Sequence, residues 1–380
     1  MAREISAERV ERMQRAGEAF TLVDTRPEGS FEAWHMPGVV NFTFGKDESL
    51  AGERAATFER QVDGDHPIVT VCAKGISSQH FADELASAGY DDVAVIEGGM
   101  EAWSAVYDVV PITLDGVEIL QIQRRAKGCL GYVVCDPESG EAAVIDATRH
   151  TDEFREAARE RDYEITAVLD THVHADHVSG GRGLASELGV PYYLGERARD
   201  RGLAYEYTPL GRNDVLEIGE VELKALFAPG HTGEMVNYLI GREALLSSDT
   251  LFVDGTGRTE LEFSEDAGER GARMQYESIH RTLLAEPDSI TLLPGHVTVT
   301  SEGEFEGGTP GEAIRTTVGE LRTGLDVLAL DEAAFVERSL ETLPEKPPNY
   351  ERVIDINRGV EMVDDEEVVE LELGPNNCSA

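Results

Sequence analysis

Asp170-Thr171-His172-Val173-His174-Ala175-Asp176-His177 is the stretch that decides the fold, with three imidazoles and one carboxylate between residues 172 and 177. The apolar run 165–169 before it reads as a strand, so the cluster sits where a strand ends and a helix is about to begin. Imidazole and carboxylate are ligands for zinc, iron or manganese. A lone histidine is more often a satisfied polar residue, but this density has little structural use. Further along, His231 lies in the turn Ala228-Pro229-Gly230-His231-Thr232-Gly233, Asp249 ends the apolar strand 245–248, and His296 lies in Leu293-Pro294-Gly295-His296. Ligands carried at strand ends can converge on one edge of a sheet, where a rigid scaffold holds them.

The order His-x-His-x-Asp-His, Gly-His-Thr, strand-terminal Asp and late Gly-His resembles the signature of the metallo-β-lactamase superfamily over about residues 119–300. The resemblance implies an αββα sandwich with the metal at one edge. The superfamily holds hydrolases, oxidoreductases, nucleases and dioxygenases, so the fold leaves the chemistry open. Gly255-Thr256-Gly257-Arg258-Thr259-Glu260 resembles the Gly-x-Gly-Arg-Thr-Asp segment of persulfide dioxygenases, with Glu for Asp. Lys346-Pro347-Pro348-Asn349-Tyr350 with Ile356-Asn357-Arg358-Gly359 is similar to the end of that group. A glyoxalase II relative would instead carry a helical thiol-binding domain with its own basic and tyrosine residues.

Membership of the persulfide dioxygenases would imply a single Fe(II) per chain on His172, His231 and Asp249, a facial set that leaves positions open for oxygen and substrate. His174, Asp176, His177 and His296 would then orient ligands or bind substrate. Under the rival hydrolase reading the same four complete a second zinc site with Asp249 bridging, for two Zn per chain and hydroxide attack on a thioester. Residue identity leaves both open. The resemblance also places Arg258 against a substrate carboxylate and Thr232 beside the substrate. Val297-Thr298 departs from the glutathione-binding pattern, which points to another thiol carrier.

A second constellation precedes the first. Leu22-Val23-Asp24-Thr25-Arg26, the sequence FEAWHMPG at 31–38, Cys72-Ala73-Lys74-Gly75-Ile76-Ser77-Ser78 and Glu97-Gly98-Gly99-Met100-Glu101-Ala102-Trp103 resemble a single-domain rhodanese from end to end. In such domains a loop of backbone N–H groups opens into a helix, lowers the thiol pKa and stabilises a persulfide. Cys72 stands at the nucleophile's position, with Lys74, Gly75 and Ser77 as the substrate cradle. Ser77 replaces the usual loop arginine, and Lys74 supplies a charge on a flexible stem that grips a sulfonate less well than a guanidinium fork. Cys129 and Cys135 share strand parity and read as small core residues. Cys378 reads as a tail thiol.

With 380 residues the chain suits two domains of roughly 100–200 residues each. The acidic residues number 74 against 33 basic ones, a net charge of −41, which argues against a nucleic-acid surface. Only five of the basic residues are lysines. Acid enrichment with lysine depletion is what a cytosol of molar salt favours, where the Debye length is only ~3 Å. No apolar run approaches the ~20 residues of a spanning helix, so a cytoplasmic protein without membrane contact is expected. The expected architecture is an α/β rhodanese domain at 1–108, a linker at 109–118, the αββα sandwich at 119–300, and a C-terminal extension at 301–380. That extension reads as helical over 309–342, with a terminal strand at 366–373, and is expected to pack on the sandwich. The expected function is iron-dependent oxidation of a low-molecular-weight thiol persulfide to sulfite with O2, coupled to sulfur transfer through Cys72 from thiosulfate or another sulfane-sulfur donor. The alternatives are a glyoxalase II-like dinuclear zinc thioester hydrolase, and a sulfur-carrier or metal-sensing module without turnover; a homodimer is left open.

Overall fold

The computed structural model describes residues 2–62, 66–262, 268–341, 343 and 345–374; Cys378 lies outside them. The N-terminal sheet is parallel throughout, in the spatial order Arg3–Ile5, Val93–Ile96, Ile68–Val71, Thr21–Asp24 and Val40–Asn41. Ile68–Val71 runs through its middle with all residues buried, as a parallel strand covered on both faces requires. One face packs against Val10, Met100 and Trp103 and the other against Phe58, Phe81 and Leu85. The strand therefore delivers Cys72 rigidly to the start of helix Ile76–Ser87.

The second domain stacks two sheets. One has the order Thr208–Leu210, Tyr192–Gly195, Glu164–Leu169, Glu141–Ile145, Leu130–Cys135, Val117–Arg124 and Tyr107–Leu114. The other runs Val215–Ile218, Val221–Phe227, Val236–Ile240, Ala244–Ser248, Thr291–Pro294 and Thr316–Thr317. Ile119, Tyr132 and Val134 from the first meet Leu223, Tyr238 and Leu246 from the second in a shared core. Phe154, Ala157 and Leu184 cover one outer face, and Ile279, Leu283 and Phe335 the other, which completes an αββα sandwich. No helix among the described residues is long and apolar enough to cross a membrane.

Two expected elements differ. The span read as a linker, 109–118, belongs to a hairpin of Tyr107–Leu114 and Val117–Arg124, so the sandwich begins earlier than residue 119. Pro111 and Gly116 are the misleading signals. Pro111 sits on the edge strand, where a missing N–H costs no ladder bond, and Gly116 takes φ 71° in the turn. The span read as a terminal strand, 366–373, is instead helix Asp365–Leu371. The Asp364 side chain accepts from the Glu367 N–H, and acidic residues fill the first turn, where the helix dipole favours them. Val368 and Leu371 form its buried stripe, a spacing the local alternation hid.

The C-terminal extension also does more than pack on the sandwich. Phe335 of helix Glu332–Glu341 meets Tyr276, while Leu373 packs into the core of the N-terminal domain. Just past helix Asp365–Leu371, the buried Glu372 accepts from Arg124 at 2.9 Å, Arg149 at 3.0 Å and the Val178 N–H at 2.8 Å. Arg124 in turn donates to the Ser104 carbonyl at 2.7 Å, so this carboxylate ties both domains to the loop after His177. Burial alone would raise the Glu372 pKa, but Arg124 and Arg149 outweigh it and hold the group at about 2.

Breaking a buried pair strands a charge, so Glu372→Ala is expected to lower stability by about 3–5 kcal/mol in denaturant titration at neutral pH. The depressed pKa gives the sign: the contribution is complete above the ordinary 4.5 and is lost as pH falls toward about 2, where variant and parent should converge. An unchanged midpoint at neutral pH would show that the pair contributes nothing.

Candidate metal centre and cysteine loop

Four strands of the sandwich end at the same edge, and each releases candidate donors there. Glu164–Leu169 leads into 170–177, Val221–Phe227 into the turn with His231, Ala244–Ser248 into Asp249, and Thr291–Pro294 into His296. Close backbone approach explains two glycines at this edge. A Cβ on Gly257 would lie 1.8 Å from the Asp249 carbonyl oxygen, and one on Gly295 would lie 2.5 Å from Asp249 Oδ1.

His172, His231 and Asp249 converge as one buried group. Asp249 Oδ2 lies 3.9 Å from His172 Nε2 and 3.6 Å from His231 Nε2, spacings that suit a cation bonded to each at ~2 Å. The His231 Nδ1–H donates to the Arg258 carbonyl at 2.7 Å, which turns the Nε2 lone pair inward. Burial, with His174 and His231 alongside, holds His172 well below the ordinary imidazole pKa, so its lone pair is free. His172 Nε2 and Asp249 Oδ2 are buried without a hydrogen-bond partner. Orphaned buried acceptors are costly, and a divalent cation between them removes that cost. An N,N,O set of this kind fits iron, manganese or zinc.

The other four candidates separate into two places. His174 Nε2 lies 3.2 Å from Asp146 Oδ1, and His174 forms its own group with Asp146 and Asp170. His296 donates from Nδ1 to Asp249 Oδ1 at 2.6 Å and from Nε2 to Asp176 Oδ2 at 2.8 Å. Burial would lower its pKa, but the two carboxylates push it well above the ordinary value, which makes it an imidazolium bridge. His177 Nδ1 lies 3.0 Å from Asp176 Oδ2.

Cys129 is buried, as expected, but outside the apolar clusters of the sandwich: its Sγ lies 3.4 Å from Asp176 Oδ2, in one group with Asp176, His177 and His296. Parity failed because residue 129 precedes strand Leu130–Cys135 and escapes its alternation. Burial raises a thiol pKa, and so does Asp176, yet hydrogen bonds with His177 and His296 bring Cys129 below the ordinary value. Cys135, buried within the strand, is pushed up to about 12.

Several supporting residues received no role in the sequence reading, although Thr171 and Asn357 stand within its quoted stretches. Thr171 donates to Asp146 Oδ2 at 2.8 Å and shares a 2.8 Å bond with Ser248. Asp146 and Ser248 hold φ of 54° and 44°, a strain concentrated under the ligand loop. Asn357 donates to the carbonyls of His174 at 2.9 Å and His177 at 2.8 Å and accepts from the Ser179 N–H at 2.9 Å. Its neighbourhood, 356–359, carried the only hint. Arg258, expected against a substrate carboxylate, is 1% exposed and directs its guanidinium to Glu260 Oε1 at 2.5 Å and the Glu345 carbonyl at 3.0 Å. It reaches the centre through its own carbonyl. Thr232 is buried beside His231 with no partner for Oγ1.

In the N-terminal domain Cys72 follows strand Ile68–Val71, and Gly75 at φ 82° turns the loop into helix Ile76–Ser87. The Ser78 hydroxyl donates to Cys72 Sγ at 3.2 Å. Burial raises this thiol's pKa, but Ser77 and Ser78 outweigh it and the group falls below the ordinary value. Gly99 is required behind the loop, since its Cβ would meet the Cys72 carbonyl oxygen at 2.2 Å. Lys74 Nζ is paired with Glu370 at 3.0 Å and Glu101 at 3.2 Å.

Comparison with known proteins agrees with this division. Residues 6–106 match the rhodanese-like domain family, and residues 124–301 match the metallo-beta-lactamase superfamily. A beta-lactamase hydrolase-like protein of Xylella fastidiosa (strain 9a5c) is 29% identical over 56% of this chain and 54% of its own length. The chain thus spans about half the length of such curated relatives. A hydroxyacylglutathione hydrolase of Rhodopseudomonas palustris (strain HaA2) is 33% identical over 46% of this chain and 65% of its own. Among solved structures, a metallo-beta-lactamase from Staphylococcus aureus subsp. aureus COL superposes with a TM-score of 0.58 at 26% identity, covering 66% of this chain and 74% of that one. ETHE1 from Myxococcus xanthus superposes at 0.54 with 24% identity, covering 64% and 98%, which is a likeness of fold. Sequence, sheet order and donor geometry agree that the chain consists of a rhodanese-like domain followed by a metallo-β-lactamase-fold domain that carries candidate metal-binding groups.

Proposed function

We propose that this protein oxidises a low-molecular-weight thiol persulfide to sulfite with O2 at a single Fe(II), and that Cys72 exchanges sulfane sulfur with the same persulfide pool. The observation that carries this reading is the separation of the donors. His172, His231 and Asp249 Oδ2 face one another, while His296 holds the other Asp249 oxygen through a 2.6 Å hydrogen bond. The resemblance of 255–260 to the persulfide dioxygenase segment, and a cysteine loop suited to sulfur on the same chain, point the same way.

When bound, Fe(II) supplies the one-electron chemistry that dioxygen needs and an anchor for a thiolate-like sulfur. The remaining work falls to the chain. The Arg258 carbonyl fixes the His231 tautomer, His296 fixes the Asp249 carboxylate, and Asn357 holds the loop between His174 and His177. In the net reaction the outer sulfur is oxidised and O2 reduced, water supplies the third oxygen of sulfite, and the thiol is released. Cys72 acts before or after that step as a thiolate that takes up and returns sulfur.

A second reading has its own support. The relative named as a hydroxyacylglutathione hydrolase, together with the group Cys129, Asp176, His177 and His296, would suit a dinuclear zinc hydrolase acting on a thioester.

Metal content of anaerobically prepared protein, with oxygen uptake on a thiol persulfide, separates the two. One iron and rapid uptake are expected; two zincs and no uptake would overturn the proposal. His296→Ala is expected to keep the metal count while activity falls ~10–100-fold, as for loss of a group that orients a ligand. Loss of one of two metals would favour the hydrolase. The protein is further proposed to work in a cytosol of molar salt, since a net charge of −41 repels itself less when screened. Its melting temperature should climb with KCl toward molar concentrations, and a flat response would refute this.

A further inference from the structure

Cys72 lines an open pocket of about 410 Å³ whose walls are largely carbon, from Pro27, Phe44, Ala73 and Ile76. Ile76 is 68% exposed there, an aliphatic side chain facing solvent at the mouth of a sulfur site. Of the cations at this pocket, Arg26 is committed to Asp24 at 2.7 Å and the Trp34 carbonyl at 2.6 Å. Lys74 is shared between Glu101 and Glu370, the latter reaching across from the C-terminal helix of the other domain. Ser77, in place of a loop arginine, shares a 3.3 Å bond with Thr25 and offers no charge. Lys46 at the rim, with no carboxylate partner among the described residues, is then the one uncommitted cation of the pocket, a single exposed charge against the two of a dianion.

Thiosulfate presents two negative charges on a compact, strongly hydrated body. Taking it into an apolar pocket requires cations that are not already neutralised. The organic persulfide that a thiolate can attack is the neutral R–S–SH, which brings no charge to be matched and a carbon body for the apolar wall. We infer that the Cys72 pocket takes its sulfur from an organic thiol persulfide and discriminates against thiosulfate, with Ser77 and the Glu370–Lys74 pair as the specificity-determining contacts. This rests on the sulfur-transfer reading of Cys72 given above.

The exchange balances without an added oxidant. The Cys72 thiolate attacks the outer sulfur of R–S–SH, a new S–S bond forms at Cys72, and the old one breaks. The thiolate RS⁻ leaves with the electron pair, and the proton stays on the transferred sulfur or passes to solvent. The sulfur keeps its oxidation state. A cytosolic thiolate can later remove it by the same exchange.

The test follows persulfide formation on Cys72 by intact-protein mass in the full-length chain at high salt. Thiosulfate and the persulfide of N-acetylcysteine methyl ester serve as donors, with Cys72→Ser as the blank. Wild-type protein is expected to label faster with the persulfide. Ser77→Arg should raise the thiosulfate rate about 10-fold or more by adding a charged fork to the cradle. Glu370→Gln, on an exposed pair, should raise the thiosulfate rate ~2–5-fold relative to the persulfide rate. Equal labelling by both donors in the wild type, or donor ratios unmoved in both variants, would overturn the inference. If Ser77→Arg does not fold, the exposed Glu370→Gln still decides. No labelling of Cys72 by either donor would instead overturn the sulfur-transfer reading itself.

Discussion

Asp249 divides its two carboxylate oxygens between two tasks, and the architecture of the second domain is arranged around that division. Oδ2 faces His172 and His231, and Oδ1 accepts from His296. The backbone must bring three loops within 3.9 Å of one side chain, which a stiff sheet edge can do. Glycines 257 and 295 stand where any side chain would collide with Asp249. Unfavourable φ values at Asp146 and Ser248 collect in the same few residues. The strain is tolerated because a continuous apolar core between the sheets holds the strand ends in place.

The C-terminal segment gives the two domains a common mechanical link. Helix Asp365–Leu371 presents Glu370 to Lys74 beside Cys72, and Glu372 just beyond it reaches Arg124 and the Val178 amide behind the histidine loop. The two contacts differ in kind. The pair at Lys74 is largely exposed and tunes local charge, whereas Glu372 is buried with Arg124 and supports structure. The short segment from Asp365 to Glu372 thus reaches both the cysteine loop and the histidine loop.

The two buried cysteines of the sandwich show how local environment decides chemistry. Cys129 and Cys135 are close in sequence and equally hidden from solvent. Cys135 points into aliphatic surroundings and stays a protonated thiol. Cys129 meets an aspartate and two imidazoles, and hydrogen bonds with His177 and His296 bring its thiol pKa below the ordinary value. A sulfur donor beside the second group of histidines gives that group a softer character than nitrogen and oxygen alone would.

By itself the sequence determined the domain order, the central strands and the residues able to hold a metal, because those features are local. An apolar run ending in His-x-His-x-Asp-His, or in a cysteine loop with Gly-Gly behind it, carries its meaning within a few residues. Only the tertiary structure decided which donors face one another, since His172, His231 and Asp249 meet through sheet packing rather than spacing. It likewise moved Arg258 from an expected substrate contact to a buried pair with Glu260, and set the buried Cys129 beside Asp176. The hairpin at 107–124 and the helix at 365–371 were misread because edge position and long-range burial, not local alternation, set their conformation. Pairing and burial depend on what lies across the fold, and one chain read in order does not contain that distance.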